Sequence, residues 1–288
     1  MTKLLVVRLS ALGDVIHTIP AVVALRKRYD EIAWAVEAPY RELVEIVTGV
    51  RAIPVSLKRW SLANFREARK NIRGFDVAID FQGLIKSALV ARFSGAKERI
   101  GFASTYVKEK PAAWYMTKHV EIDPSKHVVD WNLQLGGVTM PDVDFAPFAK
   151  GELDSNGAVI LLPGAGRPEK VWPVERFRAL AHRLGDRALA VWGPGEEEQA
   201  LAIGCRMAPR TSLRELAQLL RTASVVIGGD TGPLHLADAL GTKVIGLYGP
   251  TNPRRNGPYS QLHRCISTYE TTKRMDAIEV DDVMAMIE

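Results

Sequence analysis

The sequence has little cysteine and no long apolar run. Cys205 and Cys265 are its two cysteines, far apart and without clustered histidines, so neither a disulfide framework nor a zinc site is indicated. No run approaches the roughly 18 apolar residues of a membrane span, and the start is too polar for a signal peptide. We therefore expect a cytoplasmic chain without a transmembrane segment. The absence of a repeat of about 20 to 50 residues excludes a solenoid.

Charge is unevenly distributed along the 288 residues. Overall the chain has 38 Lys and Arg against 33 Asp and Glu, a net charge of +5. Residues 1–150 hold 22 basic and 16 acidic side chains, whereas the remainder holds 16 and 17. The basic excess therefore belongs to the first half. It indicates either a solvated surface or a field that attracts an anionic partner, such as a phosphorylated lipid, an anionic leaflet or a nucleic acid.

Hydrophobic periodicity predicts two α/β domains. Short β-branched runs alternate with helical patterns in both halves, as expected for parallel sheets built from βαβ units. Residues 141–157 contain prolines and glycines without a sustained period, and we interpret them as a linker. We predict Rossmann-like domains at residues 1–150 and 151–288, facing each other across a cleft. Ligands should bind at loops that follow the strands.

The loop after the first strand contains Asp14 at the expected start of a helix. An aspartate in this position either caps the helix or projects into the cleft, where the helix N-terminus keeps it ionised and able to accept a proton.

Three loops of the second half favour binding of a phosphorylated ligand. Residues 163–173 contain small residues with Arg167 and Lys170 as possible countercharges. Residues 193–198 contain three glutamates, which either stabilise the helix dipole or hold ribose hydroxyls. Residues 228–235 combine glycines with Asp230, Thr231 and His235 at a predicted helix start, a pattern typical of a pyrophosphate site.

Five segments together resemble the lipopolysaccharide heptosyltransferases, glycosyltransferase family 9 of the two-domain GT-B fold. They are LSALGDVIHTIPAV at residues 9–22, AIDFQGLIKSAL at 78–89, PGAGRPEKVWP at 163–173, WGPGEEE at 192–198 and GGDTGPLHLADALGTKVIGLYGPTNP at 228–253. The resemblance implies inverting, metal-independent transfer of L-glycero-D-manno-heptose from ADP-heptose, with no cofactor. The acceptor it implies is the Kdo/heptose inner core of lipopolysaccharide, a Kdo-lipid A type acceptor at the cytoplasmic face of the inner membrane.

The same resemblance implies roles for individual residues. Asp14 matches the proposed catalytic base, and Lys170 matches a lysine that contacts the donor near its phosphate. Glu197 matches the acidic residue that holds the adenosine ribose. The turn around the pyrophosphate and donor sugar is matched by Asp230, Thr231, Gly232 and His235. Some family members have hydroxyl residues where Ala165 and Gly166 stand, so contacts to phosphate there would use backbone amides.

Lys58, Arg59 and Lys86 are candidates for binding acceptor carboxylates or phosphates, because they lie in the basic first half. The single Asp-x-Asp pair, Asp142 and Asp144, lies in the predicted linker, and we do not interpret it as a metal clamp.

Other functions are compatible with the same residues. One alternative is a family 9 transferase that uses another nucleotide-sugar donor, and another is a nucleotide-sugar epimerase of similar architecture. A non-enzymatic nucleotide-sugar sensor or a nucleic-acid binder is a third. No nucleic-acid motif with interleaved aromatics is found, so we expect no nucleic-acid partner.

Overall fold

A computed structural model describes residues 1–55 and 70–287. The chain divides into two compact units, Met1–Asp144 and Phe145–Glu288. Part of the segment expected to be a linker belongs to the second unit. Within it, Ala146–Ala149 forms a 3₁₀ turn in which Phe148 and Ala149 are buried.

The first unit is built on a parallel sheet of six strands. Its order is β3-β2-β1-β4-β5-β6, with every neighbouring pair parallel. The described elements are β1 (Lys3–Val7), α1 (Leu12–Leu25), β2 (Glu31–Val36), α2 (Arg41–Thr48), β3 (Arg51–Pro54), β4 (Val77–Asp80), α3 (Ile85–Phe93), β5 (Glu98–Phe102), β6 (Lys118–Val120) and α4 (Val128–Gly136).

The second unit repeats this topology. Its strands are arranged β12-β11-β10-β7-β8-β9, again all parallel. The described elements are β7 (Val159–Leu162), α5 (Val174–Leu184), β8 (Ala188–Ala190), α6 (Glu197–Ile203), β9 (Arg206–Met207), α7 (Leu213–Arg221), β10 (Val225–Gly229), α8 (Gly232–Ala239), β11 (Val244–Tyr248), α9 (Pro253–Asn256), β12 (Cys265–Ser267) and α10 (Val280–Ile287).

The central strands of each sheet are buried on both faces. Leu4 to Val7 of β1 and Ile160 and Leu161 of β7 are fully buried. Strands buried on both faces have continuous apolar runs instead of the alternation expected of a sheet with one wet face. This is why these strands could be predicted from short β-branched runs.

Each sheet has one point at which the strand order reverses. In the first unit the first strand in sequence, β1, is flanked by β2 and β4, and in the second unit β7 is flanked by β8 and β10. Counted within its own unit, each sheet has the order 3-2-1-4-5-6, the Rossmann arrangement, in which ligands bind outside the carboxyl ends of the strands that flank the reversal. The residues after β1 and β4, and those after β7 and β10, therefore occupy the candidate binding positions.

Candidate functional site

An ion pair joins the two residues that follow β1 in the first unit. Arg8 comes directly after the strand, and Asp14 lies in the first turn of α1. Arg8 Nη2 is 2.5 Å from Asp14 Oδ1, and the side chains are 10% and 38% exposed, respectively. Asp14 is thus a carboxylate that is reachable from solvent and held from the protein side by a nearly buried guanidinium.

Arg8 also reaches across the strand-order reversal to β4. Its Nη1 donates to the carbonyl oxygen of Phe81 at 2.5 Å, and the neighbouring Leu9 N–H donates to Gln82 Oε1 at 2.9 Å. Because β1 and β4 are adjacent, these bonds tie the loop after one strand to the loop after the other. Asp14 is thereby fixed to the sheet through Arg8.

Asp80, the last residue of β4, is a buried carboxyl beneath this loop. Its Oδ1 accepts from the backbone N–H of Gln82 at 2.9 Å, and its Oδ2 accepts from Ser87 Oγ at 2.9 Å. Burial raises the pKa of Asp80 to about 6, although the hydrogen bonds from Gln82, Ser87 and Gly83 and the charge of Arg8 act in the opposite direction. Arg8 thus pairs with the surface carboxylate of Asp14, and its charge also acts on the buried carboxyl of Asp80.

The remaining candidates of the first unit lie outside the Arg8–Asp14 pair. Lys86 lies half-buried in the first turn of α3, which follows β4. Lys58 and Arg59 lie outside the described residues. His17, three residues after Asp14, is 5% exposed, and its ring meets that of His127 edge to face at 5.2 Å. It contributes to the core between α1 and α4.

In the second unit, three predicted residues form one cluster. Lys170 Nζ is 2.6 Å from Asp230 Oδ2, and His235 Nε2 is 3.2 Å from Asp230 Oδ1. The side chains of Lys170, Asp230 and His235 are 16%, 11% and 4% exposed. Since an ionised carboxylate only accepts hydrogen bonds, His235 carries its proton on Nε2 in this contact. The ion pair spans the reversal between β7 and β10.

Gly229, at the end of β10, allows the loop after β7 that contains Lys170 to approach closely. A Cβ atom on Gly229 would lie 2.9 Å from the carbonyl oxygen of Lys170, and one on Gly228 would lie 2.7 Å from Cβ of Leu162. Real Cβ atoms essentially never approach backbone atoms at such distances. The short 3₁₀ turn Pro168–Lys170 is therefore seated against the end of β10.

Asp230 is ionised in spite of its burial. Burial raises the pKa of Asp230, but the hydrogen bonds and charges of His235 and Lys170 outweigh it, so this pKa lies below its usual range. A buried carboxylate is costly unless it is paired and hydrogen-bonded. Asp230 in turn holds the Lys170 ammonium and the His235 ring in fixed positions.

Thr231 and Gly232 lie at the start of α8, next to this cluster. Thr231 is the N-cap and Gly232 the first helical residue. Within the described part of the chain, the buried Thr231 hydroxyl has no hydrogen-bond partner. The first backbone N–H groups of a helix lack partners inside the helix and carry a partial positive charge. This end of the helix can therefore accept an anion.

The loop that contains Ala165 and Gly166 leaves open space around Gly166. A Cβ atom on Gly166 would meet nothing within 4 Å, whereas one on Gly164 would lie 1.9 Å from Glu196 Oε1. Glu196 Oε2 also accepts from the N–H of Gly193 at 2.8 Å. Glu196 thus joins the loops after β7 and β8, and Glu197 is exposed in the first turn of α6.

Two general features concern the whole described chain. Within residues 1–55 and 70–287, no helix is both long and apolar enough to cross a bilayer. The same residues contain no group of three or more His, Cys, Asp or Glu side chains that could hold a metal ion.

Comparison with known proteins identifies the family. The family model for glycosyltransferase family 9 (heptosyltransferase) matches residues 65–282. The chain belongs to glycosyltransferase family 9. Lipopolysaccharide heptosyltransferase 1 from Salmonella typhimurium is 34% identical over an alignment 314 positions long, which covers 96% of this chain and 98% of that protein.

Solved structures of family members have the same fold. The Escherichia coli heptosyltransferase WaaC with ADP superposes with a TM-score of 0.85 at 27% identity, covering 99% of both chains. The same enzyme with ADP-2-deoxy-2-fluoro heptose gives a TM-score of 0.81 at 26% identity. The predicted α/β class of GT-B type with two Rossmann-like units is confirmed. Membership of family 9 makes the chain a glycosyltransferase, which decides against the epimerase alternative.

Sequence reasoning missed the residues that position the candidates. Arg8 and Asp80 each bond to a loop at the carboxyl end of a strand. A charged residue directly after a buried strand, as Arg8 is, was the available signal for the first. Phe81, whose carbonyl oxygen accepts from Arg8, lies 73 positions away along the chain. No local sequence pattern reveals such a contact.

The raised pKa of Asp80 predicts that the free energy of unfolding depends on pH. This pKa rises from 3.8 to about 6 in the folded chain, so the folded state binds more protons than the unfolded state between these values. Stability should therefore fall as pH rises through this window, by roughly 3 kcal/mol for a shift of this size. Asp80→Asn removes the titrating group.

Urea unfolding of wild type and Asp80→Asn from about pH 4 to about pH 7 measures this effect, because contributions of other groups cancel in the difference. We expect the wild type to lose stability relative to the variant as pH rises. A difference that stays constant over this range would contradict the assignment.

Proposed function

We propose that this family 9 enzyme transfers L-glycero-D-manno-heptose from ADP-heptose to the Kdo/heptose inner core of lipopolysaccharide, with inversion and without a metal ion. The observation that carries the proposal is the cluster of Lys170, Asp230 and His235 at the start of α8. It offers positive charge and backbone amides at a strand-order reversal, which suits a diphosphate. Support for the sugar comes from the heptosyltransferase relatives and from the WaaC complex with a fluorinated ADP-heptose.

The donor's diphosphate is proposed to lie beside Lys170 and the first turn of α8. Lys170 is 16% exposed and is already oriented by Asp230, so little freedom is lost when it binds phosphate. Thr231 and Gly232 lie at the same helix start, where the backbone amides supply further donors. Charge that develops on departing ADP is stabilised by these fixed groups. The charge of Lys170 and the partial positive charge of the helix amides stabilise the leaving diphosphate, as a divalent cation does in metal-dependent transferases.

The nucleoside is proposed to extend towards the loops after β7 and β8. Gly166 has open space around its Cα, so the backbone of Ala165 and Gly166 can approach phosphate directly. Glu197 is exposed at the start of α6, after the strand next to β7. An acidic side chain placed beyond a neighbouring Rossmann strand holds ribose hydroxyls in dinucleotide-binding folds, and we assign Glu197 that role.

Asp14 is proposed as the catalytic base. The acceptor hydroxyl gives its proton to Asp14 as its oxygen bonds to the anomeric carbon, while the bond from that carbon to the diphosphate oxygen breaks and ADP leaves. One displacement of this kind inverts the anomeric centre. Asp14 is 38% exposed, so a hydroxyl can reach it, and Arg8 fixes the carboxylate from the opposite side.

The acceptor is proposed to be bound by the first unit through cationic side chains, with Lys58, Arg59 and Lys86 as candidates. Inner-core sugars and lipid A carry carboxylates and phosphates, which suits the basic excess of residues 1–150. We accordingly place the enzyme at the cytoplasmic face of the inner membrane, as a peripheral protein. A different nucleotide-sugar donor would appear as turnover with GDP- or UDP-sugars in the same assay.

Asp14→Asn should lose most turnover while it keeps its fold and its affinity for ADP. The amide oxygen still accepts a hydrogen bond from Arg8 but cannot take the acceptor proton, and removal of a general base typically costs about 10²- to 10⁴-fold in rate. Heptose transfer, ADP binding and thermal unfolding are measured on one preparation. Asp30→Asn, a matched change at an exposed aspartate of the same unit, should be active. Near-normal turnover of Asp14→Asn would remove Asp14 from the mechanism.

Turnover should also survive treatment with EDTA. The proposed stabilisation of departing ADP uses Lys170, His235 and the amides at the start of α8, none of which needs a bound ion. Initial rates before and after chelation and desalting give the test. Loss of activity that Mg²⁺ or Mn²⁺ restores would contradict the metal-independent mechanism and leave the family assignment intact.

A further inference from the structure

One aromatic side chain of the first unit is fully presented to solvent. Trp114 is 82% exposed. It lies in the 3₁₀ turn Lys110–Tyr115, which packs against α3 and β5. Trp34 and Trp131, also in this unit, are buried. A large exposed indole is unfavourable in water. Trp114 contributes neither to the Arg8–Asp14 pair nor to the cluster of Lys170, Asp230 and His235.

The exposure of Trp114 is imposed by a firmly held backbone. The carbonyl oxygen of Ala113 accepts from His119 Nε2 at 2.9 Å and from the N–H of Met116 at 3.0 Å. The carbonyl oxygen of Tyr115 accepts from Arg99 Nε at 2.7 Å. Ala113 and Met116 are buried on either side. With its neighbours fixed in the core, the indole at position 114 is held outside it.

The chain segment that contains Trp114 and the elements its turn packs against is strongly basic. Residues 85–118 contain seven Lys and Arg but two Asp and Glu. Both acids are engaged: Glu98 lies 3.9 Å from Lys118, and Glu109 accepts from the N–H of Ile85 at 2.7 Å. Among the described residues, no carboxylate lies within ion-pair distance of the exposed side chains Arg92, Lys97, Lys108 and Lys110.

The positive charge of Arg92 also acts on the neighbouring Arg99 of β5. Burial lowers the pKa of Arg99, and the positive charge of Arg92 lowers it further. Uncompensated like charges on neighbouring elements are unfavourable in the isolated protein, and an anionic surface relieves them. We call Trp114 together with Arg92, Lys97, Lys108 and Lys110 the Trp114 surface.

We propose that the Trp114 surface docks on an anionic phospholipid bilayer, with the indole in the headgroup region and the four cations on lipid phosphates. Tryptophan is favoured at this depth of a bilayer because its ring is apolar and its N–H is polar. Basic side chains near an anionic leaflet add attraction that salt screens. A protein partner is less suited, because Trp114 is a single aromatic in a cationic setting and the only other exposed large hydrophobic residue described between positions 85 and 118 is Ile85, at 37%.

The inference rests on the proposed function in one respect, since it explains how an enzyme with a lipid-linked acceptor would stay at the membrane. Trp114 is not placed in the donor or base machinery. Its substitution should therefore leave turnover with a water-soluble, delipidated core acceptor unchanged.

Binding to vesicles tests the proposal. Full-length protein is sedimented with vesicles of phosphatidylglycerol and phosphatidylethanolamine, and with neutral phosphatidylcholine vesicles. Wild type should bind the anionic vesicles and release them at high salt. Trp114→Ala should weaken binding by about 10-fold, and Lys108→Glu with Lys110→Glu should weaken it at least as much. Leu201→Ala is the matched control, since Leu201 is 69% exposed in the second unit.

A shift of tryptophan emission to shorter wavelength on vesicle addition, present in wild type and lost in Trp114→Phe, would support insertion of this indole. Equal vesicle binding by wild type and Trp114→Ala would overturn the proposal, and so would failure of the wild type to bind anionic vesicles. Activity with the delipidated acceptor separates these results from a failure of the proposed function, because it reports on transfer without a membrane. Unchanged melting temperatures show that the variants are folded.

Discussion

The candidate donor site depends on a buried carboxylate, Asp230, that is held ionised between Lys170 and His235. Its burial would raise its pKa, and only the two neighbouring hydrogen bonds and charges lower that pKa again. The same contacts orient the Lys170 ammonium, the more exposed of the two neighbouring groups, beside the proposed diphosphate position. They also join the loops after β7 and β10, which Gly229 allows to come close enough. Loss of any one of the three partners leaves a buried polar group unsatisfied.

The first unit uses a comparable solution at the equivalent place in its own sheet. Arg8, directly after β1, donates to a carbonyl oxygen of the loop after β4 and forms an ion pair with Asp14. In both units a charged pair at the strand-order reversal ties two loops together and leaves one reactive group accessible. In the second unit that group is a cation suited to a diphosphate, and in the first it is a carboxylate suited to accepting a proton. The proposed division of roles between the units rests on this difference.

Sequence alone predicted the parts of this arrangement that local patterns determine. Buried β-branched runs located β1, β4, β7 and β10, and the loops after them contained Asp14, Lys170 and Asp230. Contacts between distant residues could not be predicted: Lys170 and Asp230 are 60 positions apart, and Arg8 and Phe81 are 73 positions apart. The edge strand β6 has three residues, two of them exposed, and shows no apolar run. The prolines and glycines of residues 141–157 predict a linker, but Phe145 and Phe148 within this segment are buried in the second unit.

The affinity for ADP measures the central claim, that the Lys170–Asp230 pair forms the diphosphate site. Calorimetric titration of wild type, Lys170→Met and the control Lys150→Met compares the loss of a half-buried cation with the loss of an exposed one in the same unit. A charge-assisted hydrogen bond contributes about 1.5 to 3 kcal/mol, so the account predicts that Lys170→Met weakens ADP binding by roughly 10- to 100-fold. Lys150→Met should bind as the wild type does. Equal affinities for all three folded proteins would contradict the account, because they would show that Lys170 does not bind the diphosphate.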